Sequence, residues 1–132
     1  MKLKSIKKQQ KNNRIILAAD VESDSLPGKT EIFFSYPVEF HSYLSESADP
    51  FFPAVLIPCM INNESLEVIP SLSKKLYESQ SLIQDIFTVW FPGKFHRINV
   101  TAGNLTERTQ VSNKQRNAGF FSLGVDSMYS ML

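Results

Sequence analysis

The chain has one cysteine in 132 residues, Cys59, so no internal disulfide framework holds it together. Apolar residues never run for the roughly 18 positions that a membrane span needs. The apolar stretch near the basic start, Ile15 to Ala19, is too short for the core of a secretion signal. A soluble, cytoplasmic protein with no membrane partner is therefore the expectation. The two histidines, His41 and His96, stand apart, with no Cys or His at ligand spacing from either. A zinc site is not expected, and both read as structural or surface residues. Asn-x-Ser/Thr triplets begin at Asn63, Asn99 and Asn104, but without a secretion signal they carry no weight. No internal repeat or low-complexity tract is present.

What remains is an ordinary globular composition: 42% hydrophobic, 20% charged, net charge +1, with ten Phe. That suffices for one small domain with a core and excludes wholesale disorder. The charge is uneven. Lys2, Lys4, Lys7, Lys8, Lys11 and Arg14 come with no acid among them. Residues 1–13 read as a basic, flexible start ahead of the first strand. An arm for nucleic acid is the lesser reading, because no aromatic interleaves with the lysines to stack on bases.

The pattern that follows predicts an α+β domain over 14–104, a small sheet of about four strands with two helices on one face. Arg14 to Glu22 and Glu31 to Tyr36 read as strands by their branched and aromatic content, joined antiparallel through the Pro27-Gly28 turn. Asp49 offers a helix cap and Pro50 a first helical position. Phe51, Phe52, Val55, Leu56 and Cys59 follow at helical spacing, and Pro58 should end or kink that helix near Ile57, with a strand over Ala54 to Ile57 as the open alternative. Leu66 to Ile69 is a short strand. The longest helix runs roughly from Ser73 to Phe91, with Leu72, Leu76, Ile83, Ile86, Phe87 and Trp90 on one face and Pro92-Gly93 as its stop. Arg97 to Ala102 is another strand. Cys59 reads as a buried, inert thiol, Trp90 as core, and Glu78 and Asp85 as part of a solvated helix face. Residues 105–117 are polar and read as a linker.

After the linker the chain turns apolar at Phe120-Phe121, enters a small polar turn at Ser122 to Ser127, and resumes a helical pattern through Tyr129 and Met131. A loop between a strand and a helix aims several backbone N–H groups one way, and the helix dipole adds positive potential. Gly124 lets backbone approach a phosphate, Ser122 and Ser127 supply hydroxyl donors, and Asp126 can cap N–H groups or help hold Mg²⁺.

These residues, Ser122-Leu123-Gly124-Val125-Asp126-Ser127, resemble the Ser-Gly-Gly-x-Asp-Ser signature of the PP-loop ATP pyrophosphatases. That superfamily includes asparagine, GMP and NAD synthetases. The resemblance implies that residues 118–132 begin a truncated α/β ATP-binding domain. It also implies ATP and Mg²⁺ as cofactors, with Ser122, Gly124, Asp126 and Ser127 on the phosphates. The activity it implies is adenylation of a substrate oxygen, followed by displacement of AMP by a nitrogen or sulfur nucleophile. Leu123 stands where the signature has its first Gly; its side chain resists positive φ, so phosphate binding is expected to weaken. Upstream, Asp49 to Ala54, Val68 to Leu72 and Ile83 to Trp90 resemble an uncharacterised domain that precedes the PP-loop in some asparagine-synthase-like bacterial proteins. No catalytic residue is carried over from that second resemblance. The implied partner is a nucleotide, and a homodimer is compatible with the pattern. The isolated chain is expected to be inactive, and the alternative is a non-enzymatic interaction or substrate-recruiting domain.

Overall fold

The structure, a computed structural model, describes residues 1–26 and 28–107. The fold is α+β, built on a five-stranded mixed sheet. Strands β1 (Lys2–Lys11) and β2 (Arg14–Glu22) form a hairpin whose closing pair is Lys11 opposite Arg14. Between them Asn12 takes the left-handed conformation at φ 54°, which Asn tolerates better than most residues. Strand β3 (Thr30–Pro37) lies antiparallel to β2, with Leu17 opposite Phe34. A 3-10 turn (Val38–Tyr43) and helix α1 (Phe52–Asn62) follow. Then come strands β4 (Leu66–Val68) and β5 (Leu72–Ser73), helix α2 (Lys74–Trp90), and strands β6 (Val100–Ala102) and β7 (Leu105–Thr106). The sheet order is β3-β2-β1-β4-β6, with β4 parallel to β1 and β6 parallel to β4. The short β5 and β7 pair separately, in parallel.

The basic start is not a frayed arm but the middle strand of this sheet. Its cations have local partners: Lys2 pairs with Glu67 at 2.9 Å, Lys4 with Glu22, and Lys7 with Asp20 at 2.8 Å. Lys8 donates to the Leu44 carbonyl at 3.0 Å. Leu3 and Ile6 face the core, and a register shift between Leu3 and Ser5 keeps both on that side. β1 pairs with β4 only at Lys2 and Leu3, and its Lys2, Lys4 and Lys7 side chains are exposed. That is why its low hydrophobicity is compatible with a central place.

The core lies against one face of the sheet. Leu3, Leu17, Ala19, Val21, Leu66, Val68 and Val100 from the strands meet Phe52, Val55, Leu56, Cys59 and Met60 from α1. The α1 residues recur at three- and four-residue steps, the spacing of one helical face. Pro58 does not end the helix; α1 continues four residues beyond it. Pro58 and Ala54, the residue whose carbonyl loses its helical donor, are both exposed, so water can take the missing hydrogen bond. Asp49 does not cap α1 either, since its carboxylate accepts from the Ser73 backbone N–H at 2.8 Å.

Helix α2 lies within one residue of its expected bounds at either end, but its faces differ from the expectation. Leu76, Tyr77, Ile83 and Phe87 pack on the core, and Gln84 is buried beside them. Gln84 accepts the Ile98 N–H at 2.8 Å and donates to the Gln80 side chain, so it ties the loop after the helix to the helix itself. Trp90 is exposed rather than core. Phe95 fills the space at the helix end, its ring 5.1 Å from Phe87 and 5.6 Å from Phe91. Of the expected linker, Leu105 and Thr106 belong to β7. The expected strand–loop–helix unit of 118–132 lies outside the described residues.

Candidate functional site

A cleft of about 520 Å³ opens where α2 begins, lined by Asp49, Ser73, Lys75, Leu76, Ser79 and Thr106. Three segments converge there through backbone pairing. The turn before α1 is tied to the strand before α2 by Ala48 N–H to the Ser71 carbonyl at 2.8 Å. The Ser47 hydroxyl donates to the same carbonyl at 3.3 Å. On the other side the Leu72 N–H donates to the Asn104 carbonyl at 3.0 Å, and Ser73 stands opposite Thr106 in the β5–β7 register.

The cleft mixes charge, hydroxyls and one apolar residue. One Asp49 oxygen is engaged by the Ser73 N–H. Among the described residues the Lys75 ammonium forms no ion pair, whereas its neighbour Lys74 reaches Glu107 at 3.4 Å. Ser73 precedes the first helical residue in extended geometry without capping the helix through its side chain. The Ser79 hydroxyl donates to the Lys75 carbonyl at 2.7 Å, and the Thr106 hydroxyl to the Leu72 carbonyl at 3.4 Å. The arrangement can hold a small polar molecule by hydrogen bonds and opposite charges. Among the described residues that line it, no nucleophile is paired with a base. Among the described residues no group of three or more His, Cys, Asp or Glu stands close enough to hold a metal ion.

The residues singled out from sequence are scattered. Ser122, Gly124, Asp126 and Ser127 lie outside the described residues. His41 is exposed in the 3-10 turn, and His96 is exposed, its backbone N–H donating to the Met60 carbonyl at 2.8 Å. The Cys59 thiol is buried in the core, and that burial pushes its pKa up to about 11, so it carries almost no thiolate near neutral pH. Asp85 pairs with Arg97 while Glu78 stays exposed, so they do not act as a carboxylate pair. The cleft residues Ser73, Lys75, Ser79 and Thr106 carry no local sequence signal, since only strand pairing brings them together. Comparison with protein-family models, with curated proteins and with solved structures finds no match to this chain.

Proposed function

We propose that this chain is the N-terminal portion of a PP-loop, ATP-dependent adenylating ligase or amidotransferase-like protein. The observation that carries the reading is the order of residues Ser122-Leu123-Gly124-Val125-Asp126-Ser127 behind the apolar pair Phe120-Phe121. Ser122, Gly124, Asp126 and Ser127 would hold the phosphates, and bound ATP would supply the activating group. The described α+β domain then stands ahead of the nucleotide unit, with Thr106 at the cleft only twelve positions before Ala118. Isothermal calorimetry of the full chain with ATP–Mg²⁺ tests this. Binding heat that disappears in Asp126→Ala supports it, and the absence of heat refutes phosphate binding by this loop. Leu123→Gly is expected to tighten binding, because it restores the backbone freedom of the signature.

The cleft favours a second reading, a non-enzymatic substrate-recruiting domain. Its volume falls within the range of about 300–1,000 Å³ common to small-molecule sites. On this reading a library of small polar fragments gives saturable NMR shifts at Asp49, Ser73, Lys75 and Ser79 in the absence of ATP. Shifts elsewhere, or none, count against it.

A further inference from the structure

Strand β1 has one edge filled along its length and the other filled only at its start. Toward β2 it pairs from Lys2 to Lys11. Toward β4 it pairs only at Lys2 and Leu3, where the Met1 and Leu3 carbonyls accept from the Glu67 and Ile69 N–H groups at 3.0 Å. The hairpin turn decides which groups lie on that edge further along. Lys11 and Arg14 close a two-residue loop, so they exchange hydrogen bonds with each other. Alternation aims the backbone of Gln9 and Lys7 at β2 as well, and turns the N–H and C=O groups of Gln10, Lys8 and Ile6 to the opposite edge. The register shift between Leu3 and Ser5 is what puts Leu3 and Ile6 on the same edge. Among the described residues no backbone or side chain bonds to those three residues' N–H or C=O groups. We propose that this open edge, from Ile6 to Gln10, docks an extended acidic peptide, added as a strand beside β1 beyond the end of β4.

Charge selects the occupant. Lys2, Lys4 and Lys7 are matched by Glu67, Glu22 and Asp20. Among the described residues Lys8 and Lys11 have no acidic partner, and Lys8 donates only to the Leu44 carbonyl. Lys8 stands opposite the buried Leu17 and so lies on the core side of the sheet, whereas Lys11 is an odd number of positions away and lies on the solvent side. The edge thus offers an unmatched cation on each face. A second copy of β1 would set lysines against lysines, which is how edge lysines keep like strands apart. A strand carrying Glu or Asp meets the opposite condition: backbone pairing holds it and the two lysines favour its charge. The inference uses no residue of the nucleotide loop and is independent of the proposed function.

Titration of the full chain with an acetylated, amidated hexapeptide alternating Glu and Thr, followed by amide NMR, tests it. The expected result is saturable binding that slows amide exchange at Ile6, Lys8 and Gln10 but not at Lys7 and Gln9, which already pair with β2. The same hexapeptide with Lys in place of Glu is expected to bind about tenfold more weakly or worse. Gln10→Pro is expected to keep the fold, because its N–H lies outside the β1–β2 ladder, and to abolish binding. Lys11→Glu, which removes an exposed cation alone, is expected to weaken binding about tenfold and serves if the proline variant fails to fold. No saturable binding overturns the proposal, as does equal binding of the two peptides or indifference to both variants. So do Ile6, Lys8 and Gln10 amides that already exchange slowly without peptide, which would mean that the chain itself or a second copy fills the edge.

Discussion

Glu64 shows how one residue ties several segments together. It follows Asn63, which ends α1 in the left-handed conformation at φ 52°. Its carboxylate pairs with the Met1 ammonium and accepts the Ser23 and Ser25 hydroxyls at 2.7 and 2.9 Å. Partial burial pushes its pKa up, but hydrogen bonds from the ammonium and both serines outweigh that, and the net shift is below the ordinary 4.5. A carboxylate held lower when folded than when unfolded stabilises the fold above its unfolded pKa. That contribution fades as pH falls below about 4.5 through the folded value. Urea unfolding measured from pH 7 down to pH 3 should therefore show a steeper acid loss in the natural protein than in Glu64→Gln. Equal slopes would mean that the ammonium and the serines find water as good a partner. In the sequence Glu64 is only a member of the Asn62 to Ser65 turn; its partners lie about 40 and 63 positions away and gather only in the fold.

Among the elements, α1 and α2 show what hydrophobic spacing can and cannot reveal. Helix α2 is legible in the sequence, because apolar residues at three- and four-residue steps over more than ten positions fit a helical face and not a strand, whereas in α1 the short apolar run Ala54 to Ile57 also fits a strand. The details that differ are those in which surroundings outrank local preference. Pro58 reads as a helix end because it removes a hydrogen bond and crowds the preceding turn. It is tolerated because it faces solvent while Val55, Leu56, Cys59 and Met60 bury the opposite side on both flanks. Its helical cost should then still be recoverable. Pro58→Ala restores a donor to the Ala54 carbonyl, and Pro in a helix interior is about 3 kcal/mol worse than Ala. The unfolded chain gains freedom worth up to about 1 kcal/mol, leaving a net stabilisation of about 1–2 kcal/mol. Chemical denaturation reads this directly, and a destabilised variant would show that the ring packs on something α1 needs. In α2 the difference has another cause. Spacing places Trp90 on the side of Leu76, Ile83 and Phe87 and Ile86 at its edge, but Trp90 is the last residue of the helix, and both are exposed.

For the whole molecule, what composition hides is the place of the first strand. Lysines at positions 2, 4, 7, 8 and 11 suggest a solvated start, and nothing local says that Asp20, Glu22 and Glu67 wait opposite three of them. The candidate cleft is hidden for the same reason, since Asp49, Ser73 and Thr106 meet only through pairings between distant segments. The resemblance of Ser122 to Ser127 to a phosphate loop rests on residues outside the described ones. The sheet itself is a composite: an antiparallel half, β3-β2-β1, and a parallel half, β1-β4-β6. They join through two registered pairs, Lys2 with Glu67 and Leu3 with Val68, and of these four residues Leu3 and Val68 are fully buried. Truncating a buried Leu costs about 2–5 kcal/mol. Leu3→Ala should fall in that range if it acts as core alone. Because it also sits at the junction, the loss should be uneven: amide exchange in β4 and β6 should rise sharply while the β2–β3 ladder, paired over eight residues, stays protected. Leu17→Ala, buried in the antiparallel half, supplies the comparison. If both variants raise exchange equally in both halves, the sheet unfolds as one unit and the junction has no special role. If Leu3→Ala alone separates them, the lysine-rich strand is what makes two half-sheets one domain.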